Sequence, residues 1–553
     1  MARTNCRLVR HAGLAAALAA FFLIPAHLLA QLQGPPETAP MLPLKQVAYL
    51  KASNAKAQDH FACGGSNIGH TGNSIAISPD GSTMAVGAPF ESGGAAGING
   101  NQNDDSLYAA GAVYVFVRQG ESWVQQAFVK ASNPGQNDHF GSSVALSRDG
   151  STLAVSAHWE ASAATGVNGN QKDDSIPQAG AVYIFTRSGS TWTQQAYLKA
   201  SNTGTAGKGD MPGDGDQFGY SLALSADGDT AAVGAISEDG MDDAQASAGA
   251  VYVFARTGTT WAQQAYLKGA HVMGGDLFGF SLALTGDGNM LAAGSFNDRG
   301  SGRTVNAPFD TRAQGSGAAY IFTRQDGKWT QQAYLKGSRS EPSDAFSYAL
   351  AISEDGTTLA VGAGDESCLT PGLDPPGCDN DAPPRRSANI WVGAAYVFVR
   401  SGTTWTEQLF MKANNARPFT SYAIKLALSG DGNTLAVSSP LEDSAGQGVR
   451  PPLVQPFLLI EHLTPWREGR EQAEESGAVY FYTRKGTEWT QGAYVKGANT
   501  DAGDEFGSAV ALSGDGRTLV VGAHQEDSSA KDANGNQADN SVDDSGAAYV
   551  FTY

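Results

Sequence analysis

Residues 180–199 read GAVYIFTRSGSTWTQQAYLK, and this stretch decides the fold because close relatives of it recur along the chain. Its first half, Ala181 to Phe185, is apolar on both faces, which is typical of a strand buried between two layers. A short polar turn and a second strand follow. The marker Gly-Ala-x-Tyr-x-Phe, or a close variant, begins at Gly111, Gly180, Gly249, Gly317, Gly393, Gly477 and Gly546.

Two further markers recur in the same order. The dipeptide Asp-Gly, which supplies the positive φ angles of a tight hairpin, begins at Asp80, Asp149, Asp227, Asp287, Asp355, Asp431 and Asp515. A Trp that opens the segment Gln-Gln-Ala-Tyr-Leu-Lys, or a relative of it, stands at Trp123, Trp192, Trp261, Trp329, Trp405 and Trp489. Such a period indicates one supersecondary unit repeated seven times.

Each unit contains four predicted strands, A to D in chain order. In the second unit they are residues 141–147, 152–157, 181–186 and 192–199, with the Asp-Gly hairpin between A and B. Seven four-stranded antiparallel units with small residues in strands A and B predict an all-β fold, a seven-bladed β-propeller.

The N-terminal part of the repeat region closes the ring. The seventh unit has strands A to C, whereas residues 46–53 match strand D and precede the first unit. We predict that they pair with residues 547–552, which removes two exposed sheet edges. The propeller domain is therefore assigned to residues 46–553, after a linker at 31–45.

Composition excludes several classes of function. The chain has a net charge of −19 and 68 glycines, with 16% charged residues. A strongly acidic protein does not favour nucleic acid or an anionic membrane surface as partner, because those require clustered Lys and Arg. Abundant glycine with many aromatic residues favours a turn-rich β protein over a helical bundle.

Residues 1–30 carry three Arg residues followed by an apolar stretch, which predicts a secretory signal peptide, with a membrane anchor as the alternative. The mature chain would have no transmembrane span. In an oxidising compartment Cys368 and Cys378 could form a disulfide across a Pro-rich loop, or remain two loop thiols. Cys63 has no evident partner and is taken as a loop residue.

The repeats resemble the FG-GAP family, which includes the propellers of integrin alpha subunits. Phe-Gly opens strand A at Phe140, Phe218, Phe278 and Phe506, and Gly-Ala-Pro stands complete at 87–89. The resemblance implies a propeller fold and a binding or adhesion role. The calcium loop between strands A and B of integrin-like propellers needs several acidic residues. Here each A-to-B turn has one Asp before its Gly, which indicates that these turns are hairpins and not calcium loops.

No cofactor is expected, but calcium is possible elsewhere. Asn99, Asn101, Asn103 and Asp105 alternate in a B-to-C loop and could supply oxygen ligands. The alternative is that Asn, Asp and Gly form self-bonded turns. The oxygen-rich stretch 210–216 is a second weak candidate.

No catalytic motif is evident, and the histidines are scattered without zinc spacing. The carboxylate pairs Glu238-Asp239 and Glu442-Asp443 are interpreted as solvated surface charge, because their loops are acidic. The sequence therefore predicts a protein that is not an enzyme.

Long loops at 364–390 in blade five and 440–476 in blade six depart from their sister loops. The second has an apolar stretch that could be a contact surface, fold back onto the propeller, or be a sequence artefact. Because B-to-C and D-to-A connections share one face, the candidate binding residues are the loop aromatics Trp159, Trp391, Phe457 and Trp466.

These patterns favour an exported, non-enzymatic propeller that binds a protein or glycan at the cell surface, outside the cell or in the periplasm, through one loop-rich face. The alternatives are a secreted or periplasmic carbohydrate-active enzyme, and a structural subunit of an envelope complex.

Overall fold

A computed structural model describes residues 44–64, 72–204, 215–240, 245–378, 390–451 and 473–553. All regular secondary structure in these ranges is β-strand. The strands form seven antiparallel sheets, and the innermost strands contact one another in a closed circle. The predicted all-β, seven-bladed propeller is confirmed. The predicted signal peptide, residues 1–30, lies outside the described residues.

The bounds of the strands follow the repeat. Blades 1 and 2 consist of β2 (Ile75–Ile77), β3 (Thr83–Ala88), β4 (Ala112–Gln119) and β5 (Ser122–Val129), then β6 (Val144–Leu146), β7 (Thr152–Ala157), β8 (Ala181–Ser188) and β9 (Thr191–Leu198). Blades 3 and 4 consist of β10 (Phe218–Leu224), β11 (Thr230–Ala235), β12 (Ala250–Thr257) and β13 (Thr260–Leu267), then β14 (Leu282–Leu284), β15 (Met290–Ser295), β16 (Ala318–Gln325) and β17 (Lys328–Leu335).

Blades 5 and 6 each have a fifth, short strand outside strand D. They consist of β18 (Phe346–Ile352), β19 (Thr358–Ala363), β20 (Gly372–Leu373), β21 (Ala394–Ser401) and β22 (Thr404–Lys412), then β23 (Leu426–Leu428), β24 (Thr434–Ser439), β25 (Val449–Arg450), β26 (Ala478–Lys485) and β27 (Glu488–Val495). Blade 7 consists of β28 (Val510–Leu512), β29 (Thr518–Ala523), β30 (Ala547–Thr552) and β1 (Lys45–Leu50).

The N-terminal strand closes the ring as predicted. β1 pairs antiparallel with β30, and Tyr49 lies opposite Tyr549 in the register. Lys51, directly after β1, forms a buried ion pair of 2.7 Å with Glu526 of the same blade. The two ends of the repeat region therefore share one sheet.

Strand A is shorter than the sequence predicts in several blades. In blade 2 regular pairing covers only Val144–Leu146 of the predicted 141–147. Gly141 has a φ of +96°, a conformation that breaks strand geometry, and its N–H donates to the carbonyl of Ser156 at 2.9 Å. The Phe-Gly pair is therefore a bend that leads into strand A.

The A-to-B turns close one end of the central channel. In each turn one backbone N–H donates to a backbone carbonyl in the turn of the next blade, with N···O distances of 2.7 to 3.2 Å. The seven donor–acceptor pairs are Asp80–Arg148, Arg148–Ala226, Ala226–Gly286, Gly286–Glu354, Glu354–Gly430, Gly430–Gly514 and Gly514–Pro79. Arg148 and Glu354, from blades 2 and 5, also form an ion pair of 2.6 Å. This end of the channel is thus spanned by protein.

The glycine of the marker Gly-Ala-x-Tyr-x-Phe contacts the Phe-Gly bend of the next blade. Gly249 has a φ of +78°, and a Cβ atom there would collide with the carbonyl oxygen of Phe278. The other six marker glycines meet the equivalent backbone in the same way. The positive φ and the close backbone approach both require glycine at this position. The Gly-Ala-x-Tyr-x-Phe marker of one blade therefore packs against the Phe-Gly marker of the next blade.

We expect Gly249→Ala to destabilise the propeller strongly. The strained φ and the backbone collision together should cost about 3 kcal/mol or more. Gly258→Ala is the matched control, because Gly258 also has a positive φ (+62°) but no atom lies within 4 Å of the added Cβ; its cost should be about 1 kcal/mol. Urea denaturation of both variants measures this, and equal midpoints would contradict the prediction.

An ion pair links the end of strand D of every blade to the loop after strand B, and in six of the seven blades both side chains are buried. The seven pairs are Lys130–Glu91, Lys199–Glu160, Lys268–Glu238, Lys336–Asp298, Lys412–Glu366, Lys496–Glu442 and Lys51–Glu526. The prediction that Glu238-Asp239 and Glu442-Asp443 are solvated surface charge is therefore wrong for Glu238, Asp239 and Glu442, which are buried. Their acidic loops fold over the lysines, which the local sequence does not reveal.

The Trp of strand D contacts the preceding blade. Trp192 Nε1 donates to Gln126 Oε1 of blade 1 at 3.0 Å, and the Arg187 guanidinium lies over the Trp192 ring at 5.3 Å. The same pairing joins Trp261 to Gln195. The second Gln of the Trp-containing marker is therefore a contact between blades.

A candidate ligand-binding face

Strand polarity divides the propeller into two faces. The short A-to-B and C-to-D hairpins lie on one face, whereas the long B-to-C and D-to-A connections lie on the other, which we call the loop face. The innermost strands begin at the loop face and end at the ring of A-to-B turns. A ligand that reaches the channel from the loop face would therefore meet a closed end.

A continuous row of aromatic rings lies at the loop face around the channel, and five of its ten members are buried: His139, His158, Tyr220, Phe280 and His524. Neighbouring ring centroids are 4.2 to 5.9 Å apart. We call this row the aromatic arc; it consists of His524, His60, Phe90, His139, Trp159, His158, Tyr220, Phe280, Phe296 and Tyr348. It runs through blades 7, 1, 2, 3, 4 and 5.

Two positions of the repeat supply most of the arc. Tyr220, Phe280 and Tyr348 each follow the buried Phe of their blade by two residues, at the start of the innermost strand. His158 and Trp159 follow β7 directly, where the chain leaves the sheet. Because these positions face the axis, the ring closure brings residues from six blades together.

The histidines of the arc include two with lowered pKa values. Burial and the neighbouring His60 lower the pKa of His524 to about 3, and burial lowers the pKa of His60. Both rings are therefore neutral at pH 7, and His524 is buried. The sequence spreads His60, His139, His158 and His524 over more than 450 residues, and only the fold unites them.

Carboxyl groups lie beside both ends of the arc: Asp365 is next to Tyr348, and Glu505 Oε2 lies 3.9 Å from His524 Nδ1. Burial raises the pKa of Asp365 to about 6, and its charge acts on the Tyr348 hydroxyl. Asp365 follows β19 at the position that Trp159 has after β7. The described residues that line the channel cavity contain no Asp or Glu.

A cavity of about 150 Å³ lies in the channel beneath the arc. Its wall includes Phe280 and Tyr348 of the arc, and Lys425 of blade 6. Lys425 is buried, and its Nζ donates to the Gly72 carbonyl at 3.1 Å. Burial lowers the pKa of Lys425 to about 7, while the charge of Cys63 acts in the opposite direction.

The predicted binding residues do not form one cluster. Trp159 belongs to the arc and stacks on His139 at 4.4 Å. Trp391 is 45% exposed in blade 5 and meets Phe419, which is 54% exposed, edge to face at 6.0 Å. Phe457 and Trp466 lie outside the described residues.

The loop that contains the candidate calcium ligands Asn99, Asn101, Asn103 and Asp105 is held against strand D of blade 1 by hydrogen bonds. Asn99 donates its N–H to the Phe128 carbonyl at 2.7 Å and accepts the Phe128 N–H on Oδ1 at 2.9 Å. Asn101 Oδ1 accepts the N–H of Asn103, and Asp105 forms an ion pair with Lys56. In the described ranges no group of three or more His, Cys, Asp or Glu could hold a metal ion. Calcium binding stays a prediction.

The same loop position repeats around the ring. Asn168, Asn306 and Asn534 make the reciprocal pair of hydrogen bonds with Tyr197, Tyr334 and Tyr49. Each loop thereby covers the outer edge of its strand D, which protects that edge from pairing with another chain. Of the second candidate, residues 210–214 lie outside the described ranges, and Asp216 accepts the Gly204 N–H at 3.1 Å.

Comparison with known families identifies the repeat. Residues 123–185, 192–254 and 489–551 each match the FG-GAP repeat. These three segments, about a third of the chain, are each similar to the FG-GAP repeat. Every FG-GAP match begins at a strand D Trp and ends in strand C of the next blade, so the family unit spans a blade boundary. No curated protein matches the chain.

Two findings bear on where this protein works. Cys368 and Cys378 form a disulfide in the blade-five loop. Together with FG-GAP repeats, a disulfide points to an extracellular-type protein. Among the residues described, no helix is long and apolar enough to cross a membrane.

Proposed function

We propose that this FG-GAP propeller is an exported, non-enzymatic binding protein. It recognises a protein or a glycan through its loop face, in an adhesion-type role that needs no cofactor. The observation that carries the proposal is the aromatic arc around a channel that is closed at its far end. Aromatic rings next to a concave site are typical of ligand-binding surfaces.

The electrostatics support binding over catalysis. A glycosidase needs two carboxyl groups on either side of the scissile bond. Asp365 and Glu505 stand beside opposite ends of the arc and do not face one common site, while the described cavity wall adds a lysine and several serines. The carbohydrate-active enzyme and the structural envelope subunit remain alternatives with no specific observation in their favour.

The test is binding of the mature protein, residues 31–553, to arrays of glycans and extracellular proteins. We expect Trp159→Ala to weaken binding of any array partner about tenfold or more, because buried aromatic contacts dominate such sites. Val124→Ala is the control, since Val124 is 42% exposed on the outer strand of blade 1. A partner lost with Trp391→Ala but kept with Trp159→Ala would move the site to the blade-five loop.

A further inference from the structure

Two aromatic side chains of the loop face occupy backbone positions that favour small or polar residues. Trp391 stands two residues before the marker glycine of blade 5, and Phe419 stands three residues before Tyr422, which replaces the Phe of the Phe-Gly marker. Both have a positive φ, +40° for Trp391 and +65° for Phe419, which is strained for bulky side chains. The other blades have Ala109, Gln178, Ser247, Gly315, Glu475 and Asp544 at the first position, and Gln58, Asn137, Gly215, Gly275, Ser343 and Gly503 at the second.

The backbone holds these two residues side by side. The Phe419 N–H donates to the carbonyl of Ile390 at 2.5 Å, and the Ser421 N–H donates to the carbonyl of Trp391 at 2.9 Å. The boundary of blades 1 and 2 has the same two hydrogen bonds, with Asn137 in the place of Phe419. The repeat therefore forms this contact without aromatic side chains. Because strained residues cluster at ligand-binding sites, the aromatic pair points to a ligand.

Both rings are open to solvent to about the extent of one face. Trp391 is 45% exposed and Phe419 is 54% exposed, and the rings meet edge to face with their centroids 6.0 Å apart and their planes at 85°. In such a contact each ring keeps at least one face that its partner does not cover. The hydrogen-bonded backbone fixes the place of both rings before a ligand arrives, which reduces the entropy lost on binding.

The size of this exposed apolar surface fits a sugar ring better than a protein. About half of the surface of two aromatic side chains is roughly 200 Å², whereas a stable protein interface covers about 800 Å² on each partner. The other exposed large apolar side chains described on the loop face are Tyr108 and Met273, which belong to other blade boundaries. One face of a pyranose consists of C–H groups, which pack on an aromatic face while the hydroxyl groups stay in water. The net charge of −19 disfavours an acidic sugar.

We propose that Trp391 and Phe419 form a subsite for a neutral sugar, with one pyranose ring of a glycan stacked on the exposed face of Trp391 and in contact with Phe419. The inference rests on the proposed function, because it names a glycan as a ligand of the loop face. It adds a contact outside the arc: the connection that carries Phe419 leads into blade 6, which contributes no residue to the arc.

Isothermal titration of the mature protein, residues 31–553, with cellohexaose, laminarihexaose, mannohexaose and xylohexaose tests the proposal. We expect at least one of these neutral sugars to bind, and Trp391→Gln and Phe419→Gly each to weaken that binding about tenfold or more. Tyr108→Ala is the matched control, because Tyr108 is 57% exposed on the loop face of blade 1. The affinity of this control should equal that of the mature protein.

The two substitutions introduce residues that other blades have at the same positions, Gln178 and Gly275, so the fold should be kept. Their urea midpoints should be no lower than that of the mature protein, because the substitutions relieve strain at positions of positive φ. Loss of sugar binding together with a lower midpoint would assign the pair a structural role and overturn the proposal.

Absence of binding to all four sugars, or unchanged affinity in both variants, also overturns the proposal. So does a sugar whose binding depends on Trp159 and not on Trp391, or a protein partner in place of any sugar, but either result would still support the proposed function. A protein that binds no glycan and no extracellular protein on the arrays would contradict the proposed function itself.

Discussion

A chain that begins at residue 54 will not show the cooperative unfolding of the mature protein. It lacks β1, so β30 loses its outer partner and the blade loses Lys51, whose ammonium pairs with Glu526. Tyr49, which donates its hydroxyl to Glu526 at 2.6 Å, is lost as well. Removing one strand from a ring exposes a sheet edge and a buried charge together, and this exceeds the marginal stability of a folded domain. Thermal unfolding followed by circular dichroism measures the loss.

The control is a chain that begins at residue 44 and keeps β1. It should unfold at the same temperature as the mature protein. A peptide of residues 44–53 provides a second measurement that does not require the truncated chain to fold alone: added in excess, it should restore cooperative unfolding and raise the unfolding temperature with its concentration. Identical melts for the chains that begin at residues 44 and 54 would show that β1 does not close the ring.

The fold was open to prediction because its signals are local and repeated. Each Asp-Gly hairpin fixes two neighbouring strands, and seven copies in one order leave little choice of architecture. The match of residues 46–53 to strand D predicted the closure, which the pairing of β1 with β30 confirms. The shorter strand A was not predicted, because the bend at Gly141 depends on its close packing against the backbone of the neighbouring blade.

The site was not open to prediction in the same way. Apart from Trp159, each member of the arc reads in sequence as an ordinary core aromatic or an isolated histidine, and only the closed ring brings the members from different blades into one row. Trp159 was singled out as a loop aromatic, whereas His139, which stacks on it, was not. Lys425 did leave a signal, since alignment of the repeats places it among Gly, Ala and Ser.

The Asn-rich loops show how one pattern fits two mechanisms. Alternating Asn and Asp residues suit calcium ligands and backbone-bonded turns equally well. Asn99 bonds to strand D, an interaction whose partner is about 30 residues away in sequence. The repeat of this Asn in three other loops reflects that edge contact.

The second large effect is expected from Glu160→Gln at the boundary of blades 1 and 2. Glu160 accepts hydrogen bonds from Lys199 Nζ at 3.0 Å, Tyr197 at 2.8 Å and Asn133 at 3.0 Å. Asn133 belongs to the connection from blade 1, so this carboxylate joins two blades. Gln has the same shape but no charge, and it leaves the buried Lys199 ammonium without its counter-ion.

Breaking a buried pair from one side costs about 3–5 kcal/mol, because the remaining charge is uncompensated. We therefore expect the urea midpoint of Glu160→Gln to fall sharply. Arg312→Gln removes an ion pair to Asp310 whose arginine is 80% exposed, and it should cost less than about 1 kcal/mol.

A second substitution separates charge from shape. Burial lowers the pKa of Lys199, while the Glu160 charge raises it, so the ammonium depends on that carboxylate. In the double variant with Lys199→Met, the unpaired charge is gone and an apolar chain of similar length fills the space. Stability should then recover by more than half of the loss. If the double variant were less stable than Glu160→Gln alone, the packing of the lysine stem would be the stabilising element. Recovery would instead show that this pair stabilises the ring by mutual neutralisation, and that Lys199 is tolerated in the interior only beside Glu160.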